Sequence, residues 1–278
     1  MNPCNLNELG ITREDAWAVG HFNVHNQEFI RAVVQAAEQE RSPAILAVGM
    51  LSIKYMGLEP LVSSCRIMSQ ESSAPIAVHL DHARELGIVR QALDCGINSV
   101  MFDGSALEYE ENVAKTTEVV KMAHDCGATA EGEIGIVPHG TASVSDADMT
   151  NPDRAVEFAE RTGVDFLAVS LGSIHGMKTA GAALNQDLLQ QLHRQIPVPL
   201  VLHGASGVVD EHLKAAVNNG IRKINVNTGL KVVLKDVLTT RLAESPDTDL
   251  LEDLQMGIAA VTASVAQRMR LFGSSNRT

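Results

Sequence analysis

The chain has 278 residues, 45% of them apolar and only 3% aromatic, with 34 acidic against 22 basic side chains and a net charge of −12. That length suits two small domains or one α/β domain of barrel size, and without a Pro/Gly/Ser-rich linker or composition break it reads as a single domain over 1–278. The acidic balance and the lack of a basic cluster exclude nucleic acid and anionic membrane as partners, so any phosphate must be held by local backbone dipoles.

Short apolar runs of β type alternate along the chain with longer stretches of helical period. Strands are predicted at 17–25, 43–49, 75–81, 98–103, 127–134, 164–171, 198–203 and 221–226. Amphipathic helices fall between them, as at 27–41, 109–125 and 152–162. In the second of these, Val113, Thr116, Thr117, Val120 and Ala123 keep the i, i+3, i+4 spacing of one buried face. Pro75, Pro152 and Pro199 stand at strand entrances or a helix start, where a missing N–H costs little. Eight such βα units with near-continuous apolar strands predict an α/β TIM (β/α)8 barrel. A doubly wound sheet is the rival, but no early G-x-G-x-x-G is present. The segment 247–271 is predicted as an additional C-terminal helix, packed outside the barrel or against a partner subunit.

Cys4, Cys65, Cys95 and Cys126 lie far apart without a C-x-x-C, the usage of reduced thiols. The opening MNPCNLNELGITRED is polar and reads as no signal peptide, and no apolar run reaches the length that spans a bilayer. A cytoplasmic protein is the expectation.

After the third, sixth and seventh predicted strands come His82 (PIAVHLDH), His175 (LAVSLGSIHG) and His203 (PLVLHGASG). Barrel enzymes build their sites at this end of the strands, and three imidazoles there make the ligand set of a catalytic zinc with one open position. One strand-end histidine alone is more simply a hydrogen-bonded structural residue; three at one end of one barrel weaken that reading sharply. His21, His25, His79 and His139 are further candidates, so spacing leaves the ligand set open. Asp81 directly precedes His82, and on a regular strand the two would face opposite ways. Both reach the mouth only where the strand turns into its loop. A carboxylate there can shuttle a proton beside a Lewis acid, or simply orient an imidazole.

Two loops suit an anion: His203-Gly204-Ala205-Ser206-Gly207 and Asn225-Val226-Asn227-Thr228-Gly229. They follow strands seven and eight, where this fold commonly binds phosphate. Glycine lets backbone N–H groups come close, Ser and Thr add donors, and Gly176 after His175 can complete the cradle.

The segments HFNVHN, HLDH, FDGS, EGEIG, GSIHG, LHGASG and KINVNT, in this order from about residue 17 to 230 and with RLFGSSN at the end, resemble the class II (zinc-dependent) fructose- and tagatose-bisphosphate aldolase family. The resemblance implies one Zn2+ ion held by His82, His175 and His203, with Asp81 exchanging a proton with the C4 hydroxyl of a ketose. It implies that Gly176, Gly204, Ser206, Asn227 and Thr228 hold the phosphate of dihydroxyacetone phosphate (DHAP). Asn225 would contact the enediolate part, Asn23 would line the site, Glu133 would sit near the metal, and Asp103 and Ser105 would support the ligands from behind. A monovalent cation (Na+ or K+), a phosphorylated sugar substrate and a homodimer or homotetramer are expected with the family. The implied reaction is reversible cleavage of a ketose 1,6-bisphosphate of fructose or tagatose type, or a related ketose 1-phosphate, to DHAP and an aldehyde. Lys223 is the one lysine that stands out at a strand end, and its neighbours fit the phosphate loop better than a Schiff base.

The chain departs from the family's pattern in three places. Ala47-Val48-Gly49-Met50 stands where many relatives carry a substrate-contacting Ser or Thr. Ile136-Val137-Pro138-His139-Gly140, then Ser145-Asp146-Ala147-Asp148, replaces a glycine pair and acids, leaving His139, Asp146 and Asp148 as candidates for the DHAP-side proton. For a second phosphate the candidates are Arg268 or Arg270 from the tail of a neighbouring subunit. The alternatives to an aldolase are a metal-dependent phosphosugar isomerase or epimerase, which would release no DHAP, and a non-catalytic accessory subunit, which has no chemical need for His82, His175, His203 and Asp81 together.

Overall fold

Eight parallel strands close into a barrel in strict chain order. They are β1 (Val19–Asn23), β2 (Ala44–Gly49), β3 (Ile76–Ala83), β4 (Ser99–Phe102), β5 (Thr129–Ile134), β6 (Phe166–Val169), β7 (Leu200–Leu202) and β8 (Ile221–Val226). The computed structural model describes residues 4–138, 140, 145, 148–177, 181–245 and 247–278. Closure comes from β8 pairing with β1, which sets Asn225 beside His21. The surrounding helices are α1 (Gln27–Glu40), α2 (Met50–Met56), α3 (Leu58–Glu71), α4 (Leu86–Asp94), α5 (Tyr109–Asp125), α6 (Pro152–Thr162), α7 (Gln186–Gln195), α8 (Asp210–Asn218) and α9 (Thr228–Glu244). The predicted barrel is therefore observed, with several strands shorter than their apolar runs.

The extra helix, α10 (Leu250–Phe272), takes the first of its two expected positions and lies on α1 and α9 outside the barrel. Its buried Ile258, Val261, Val265, Met269 and Phe272 keep helical spacing, and the Phe272 carbonyl accepts from the Ala18 amide at 3.0 Å. The tail is thereby tied to the entrance of β1. Among the described residues no helix is long and apolar enough to cross a membrane.

Because strand side chains alternate, each strand serves two layers. Phe22, Val78, Leu80, Phe102, Leu167 and Leu202 face the helices and belong to the main core. Val19, Ile45, Ala77, Phe166 and Val201 face the axis, where Leu6, Leu9, Ile11 and Trp17 of the N-terminal segment pack with them. Two and four residues further along, the same inward faces become polar: His21 then Asn23, and His79 then Asp81. Glu131 and Glu133 on β5, and Lys223 and Asn225 on β8, continue this pattern. The barrel is thus dry and apolar at one end and grades into a buried polar layer below its mouth.

Gly132, between the two inward glutamates, faces the helices. A Cβ there would meet Phe158 Cε1 at 2.9 Å and Thr116 Cγ2 and Val164 Cγ1 at 3.1 Å. Gly132→Ala should therefore overpack this seam and cost about 1–3 kcal/mol, read as a lower urea midpoint. An unchanged midpoint would mean that α5 and α6 yield freely.

Candidate active site

The strand carrying Asp81 does not stop there. β3 continues to Ala83, and its register against β4 shifts between Leu80 and Ala83. His82 sits in this bulge with φ +52, a left-handed conformation that costs a residue with a Cβ about 1–3 kcal/mol. The bulge breaks the alternation, so neighbours in sequence share one face: Asp81 and His82 both line the cavity at the mouth. His203 follows β7 directly, as predicted. His175 does not stand at its strand end: β6 stops at Val169 because Ser170 pairs with Thr150 instead of β7, and Gly172 then turns the chain at φ +103. His175 reaches the site from the loop beyond.

The structure brings these three histidines together. Their rings are 4.7 Å (His82–His203), 5.1 Å (His82–His175) and 5.8 Å (His175–His203) apart, and one donor atom from each lies within 4.8 Å of the others. His82 Nδ1 faces Asp103 Oδ2 at 3.3 Å and Glu133 Oε2 at 3.7 Å, and His203 Nε2 faces Glu131 Oε1 at 2.9 Å. Those nitrogens donate to carboxylates, so His82 Nε2 and His203 Nδ1 turn their remaining positions toward each other across 2.9 Å. Two lone pairs at that distance repel unless a cation lies between them. A proton can serve: burial opposes it, but Asp81, Glu133 and Asp103 push His82 up to about 9. A divalent metal ion answers the same need better, with His175 as third donor, since Asp81, Asp103, Glu131 and Glu133 all surround the cluster. The donor set fits zinc.

Asp81 is held from two sides. Its Oδ2 accepts from Asn23 Nδ2 at 2.7 Å, while Oδ1 lies 3.6 Å from His21 Nε2 and 3.9 Å from His82 Nε2. Burial alone would raise its carboxyl, but the charges of His82 and His21 hold it well below the usual carboxylate range. Burial pushes the nearby Glu133 up to about 8. Asp103 accepts from the Ser105 hydroxyl at 2.7 Å and from Arg84, so Asp103 and Ser105 lie together behind the His82 ring.

Sequence reasoning passed over Glu131 and gave Lys223 no structural part. Both are fully buried, with Lys223 Nζ 2.8 Å from Glu131 Oε2 and 2.8 Å from Asn225 Oδ1. The chain Lys223–Glu131–His203 orients one histidine of the cluster from inside the barrel. The available signal was a charge at an inward position of an apolar strand. His21 and His79 belong to the same layer. His79 Nδ1 bonds Ser99 Oγ at 2.7 Å, and the two rings gather with Asp81 below the cavity, not with His175 and His203. His25 sits at the mouth between Ser52 Oγ (2.7 Å) and Asn227 Oδ1 (3.1 Å).

The cavity encloses about 870 Å³, and Asn23, Gly176, Gly204, Ser206, Asn225, Asn227 and Thr228 all line it. Ser206 Oγ accepts from the Gly229 amide at 3.2 Å, which joins the two predicted anion loops. Asp148 is occupied with Ser145, accepting from its amide and hydroxyl, while His139 and Asp146 lie outside the described residues. Arg268 and Arg270 are committed within the chain, to Asp210 and Glu40 at 2.6 Å each.

The family model for class-II fructose-bisphosphate aldolase matches residues 7–277. A sulfofructosephosphate aldolase of Alkalicoccus urumqiensis is 39% identical over 95% of this chain and 94% of its own. The fructose-bisphosphate aldolase of Thermus caldophilus is 37% identical, with 98% of each chain covered. The crystal structure of the YdjI aldolase from Escherichia coli K12 superimposes with a TM-score of 0.84 at 34% identity, covering 95% of both chains. The chain belongs to the class II fructose-bisphosphate aldolase family and is a carbon–carbon lyase.

Proposed function

We propose that this enzyme is a zinc-dependent aldolase that reversibly cleaves a ketose 1-phosphate or 1,6-bisphosphate, of fructose or tagatose type, to DHAP and an aldehyde. The reading is carried by one observation: His82, His175, His203 and the ionised Asp81 meet in a cavity that the Gly204–Ser206 and Asn227–Thr228 loops also line. The family acts on phosphorylated sugars and is zinc-dependent in general. Held by the three histidines, a divalent ion supplies Lewis-acid stabilisation of the charge that develops on the ketose oxygen. Asp81 takes the C4 hydroxyl proton as the C3–C4 bond breaks, and returns it in the reverse direction. Asn23 fixes the carboxylate by bonding Oδ2, and Asn225 offers its amide to the three-carbon fragment. The phosphate rests on the Ser206 and Thr228 hydroxyls, on loop amides near Gly176 and Gly204, and near the N-terminus of α9, where Asn227 makes no side-chain cap. Lys223, paired and sealed below the cavity, is unsuited to a Schiff base. The names of the relatives suggest fructose 1,6-bisphosphate and a sulfonated fructose phosphate as substrates.

Zinc-loaded protein mixed with ketose phosphates should release DHAP, followed by coupled reduction. A chelator should abolish the release and added zinc restore it. Turnover that survives complete metal removal would sink the metal-dependent reading, and sugar interconversion without DHAP would indicate an isomerase.

A further inference from the structure

We infer that Arg84 selects a substrate with a second anionic group, a phosphate ester or a sulfonate, at its aldehyde end. The inference rests on the aldolase reading above. In a closed barrel of eight strands in chain order, β3 stands across the axis from β7, and β4 across from β8. The Gly204–Ser206 loop follows β7 and Asn227–Thr228 follows β8, whereas Arg84 follows β3. A ketose with its 1-phosphate on the first two loops therefore runs over the histidines toward the β3 side. There the cavity wall consists of Arg84, Glu85, Gly87, Ile88 and Gln91.

Among the described residues lining the cavity, Arg84 and Lys231 alone carry a fixed positive charge. Lys231 is on the first turn of α9 after β8, which places it on the side of the first phosphate. Arg268 and Arg270 are engaged elsewhere in the chain. Arg84 remains. Its side chain is 64% exposed, yet its fork is pinned: Nε and Nη2 donate to Asp103 Oδ2 at 2.9 and 2.8 Å. Among the described residues Nη1 has no partner and can donate, and the anchoring spares the entropy of ordering a long side chain on binding. The same Asp103 oxygen faces His82 Nδ1, so the guanidinium is anchored beside the histidine cluster on the β3 wall of the cavity. Glu85 on the same wall repels anions, and a neutral-ended sugar would not need Arg84 beside it.

The test compares kcat/KM for DHAP release from fructose 1,6-bisphosphate, a ketose 1-phosphate ending in a sulfonate, and fructose 1-phosphate. Arg84→Met should lower kcat/KM about 10–100-fold, mainly through KM, on whichever anionic-ended substrate the wild type prefers, the loss of a charge-assisted hydrogen-bonded pair. Fructose 1-phosphate should change less than about threefold, because no partner is lost there. The larger loss identifies phosphate or sulfonate as the group recognised. An equal loss on all three with reduced zinc content would show that Arg84 acts through Asp103 and His82, and no loss on any would leave it without a role; either overturns the inference. DHAP from none of the three with wild-type enzyme would instead remove the aldolase reading, and this inference with it.

Discussion

Asp81→Asn is expected to lower ketose phosphate cleavage by about 10²–10⁴-fold while metal content stays at the wild-type level. The amide keeps the shape of the carboxylate and can still meet Asn23, but it cannot accept the C4 proton. Asp81 Oδ1 is 3.9 Å from His82 Nε2, beside the histidine cluster but outside it, so the substitution spares the donors. Rate and zinc stoichiometry measured on one preparation separate the two possible roles. Zinc lost in step with activity would make Asp81 a ligand, and full activity would remove it from the chemistry.

The second large effect lies below the cavity. Lys223→Met should destabilise the protein by about 3–5 kcal/mol, because it leaves the Glu131 carboxylate sealed in the barrel without its cation. At present Lys223 and His203 together hold Glu131 well below the usual carboxylate range against the effect of burial. Removing both charges, as in Lys223→Met with Glu131→Leu, should recover most of the stability, since a buried ion pair is often replaceable by apolar groups of similar volume. Function should not recover with it. His203 Nε2 would lose its 2.9 Å partner, and zinc affinity, measured by chelator competition, should fall about 10–100-fold. A single variant with an unchanged urea midpoint would show that the pair is not under this strain, and a double variant with wild-type zinc affinity would show that Glu131 does not orient the histidine.

The elements of this barrel were legible because their signals are local. The helix predicted at 109–125 is observed as Tyr109–Asp125, and that at 152–162 is bounded by the Asn151 cap, Pro152 and Gly163 at φ +69. His82 and His203 were legible too, since a strand followed by its loop puts them at the C-terminal end of the barrel. Other features had no local mark. His21 and His79 look like equal candidates in sequence, yet one step of strand alternation puts them beneath the mouth. The shared face of Asp81 and His82 depends on a bulge that the pairing of β3 with β4 creates. The Lys223–Glu131 pair joins β8 to β5, and the position of Arg84 opposite the phosphate loops exists only once β8 has met β1. By itself the sequence determined the βα repeat, the barrel class and the residues able to do the chemistry, because hydrophobic period and turn chemistry act over a few residues. Which of those residues face one another was decided by closure and register, which act between strands remote in the chain.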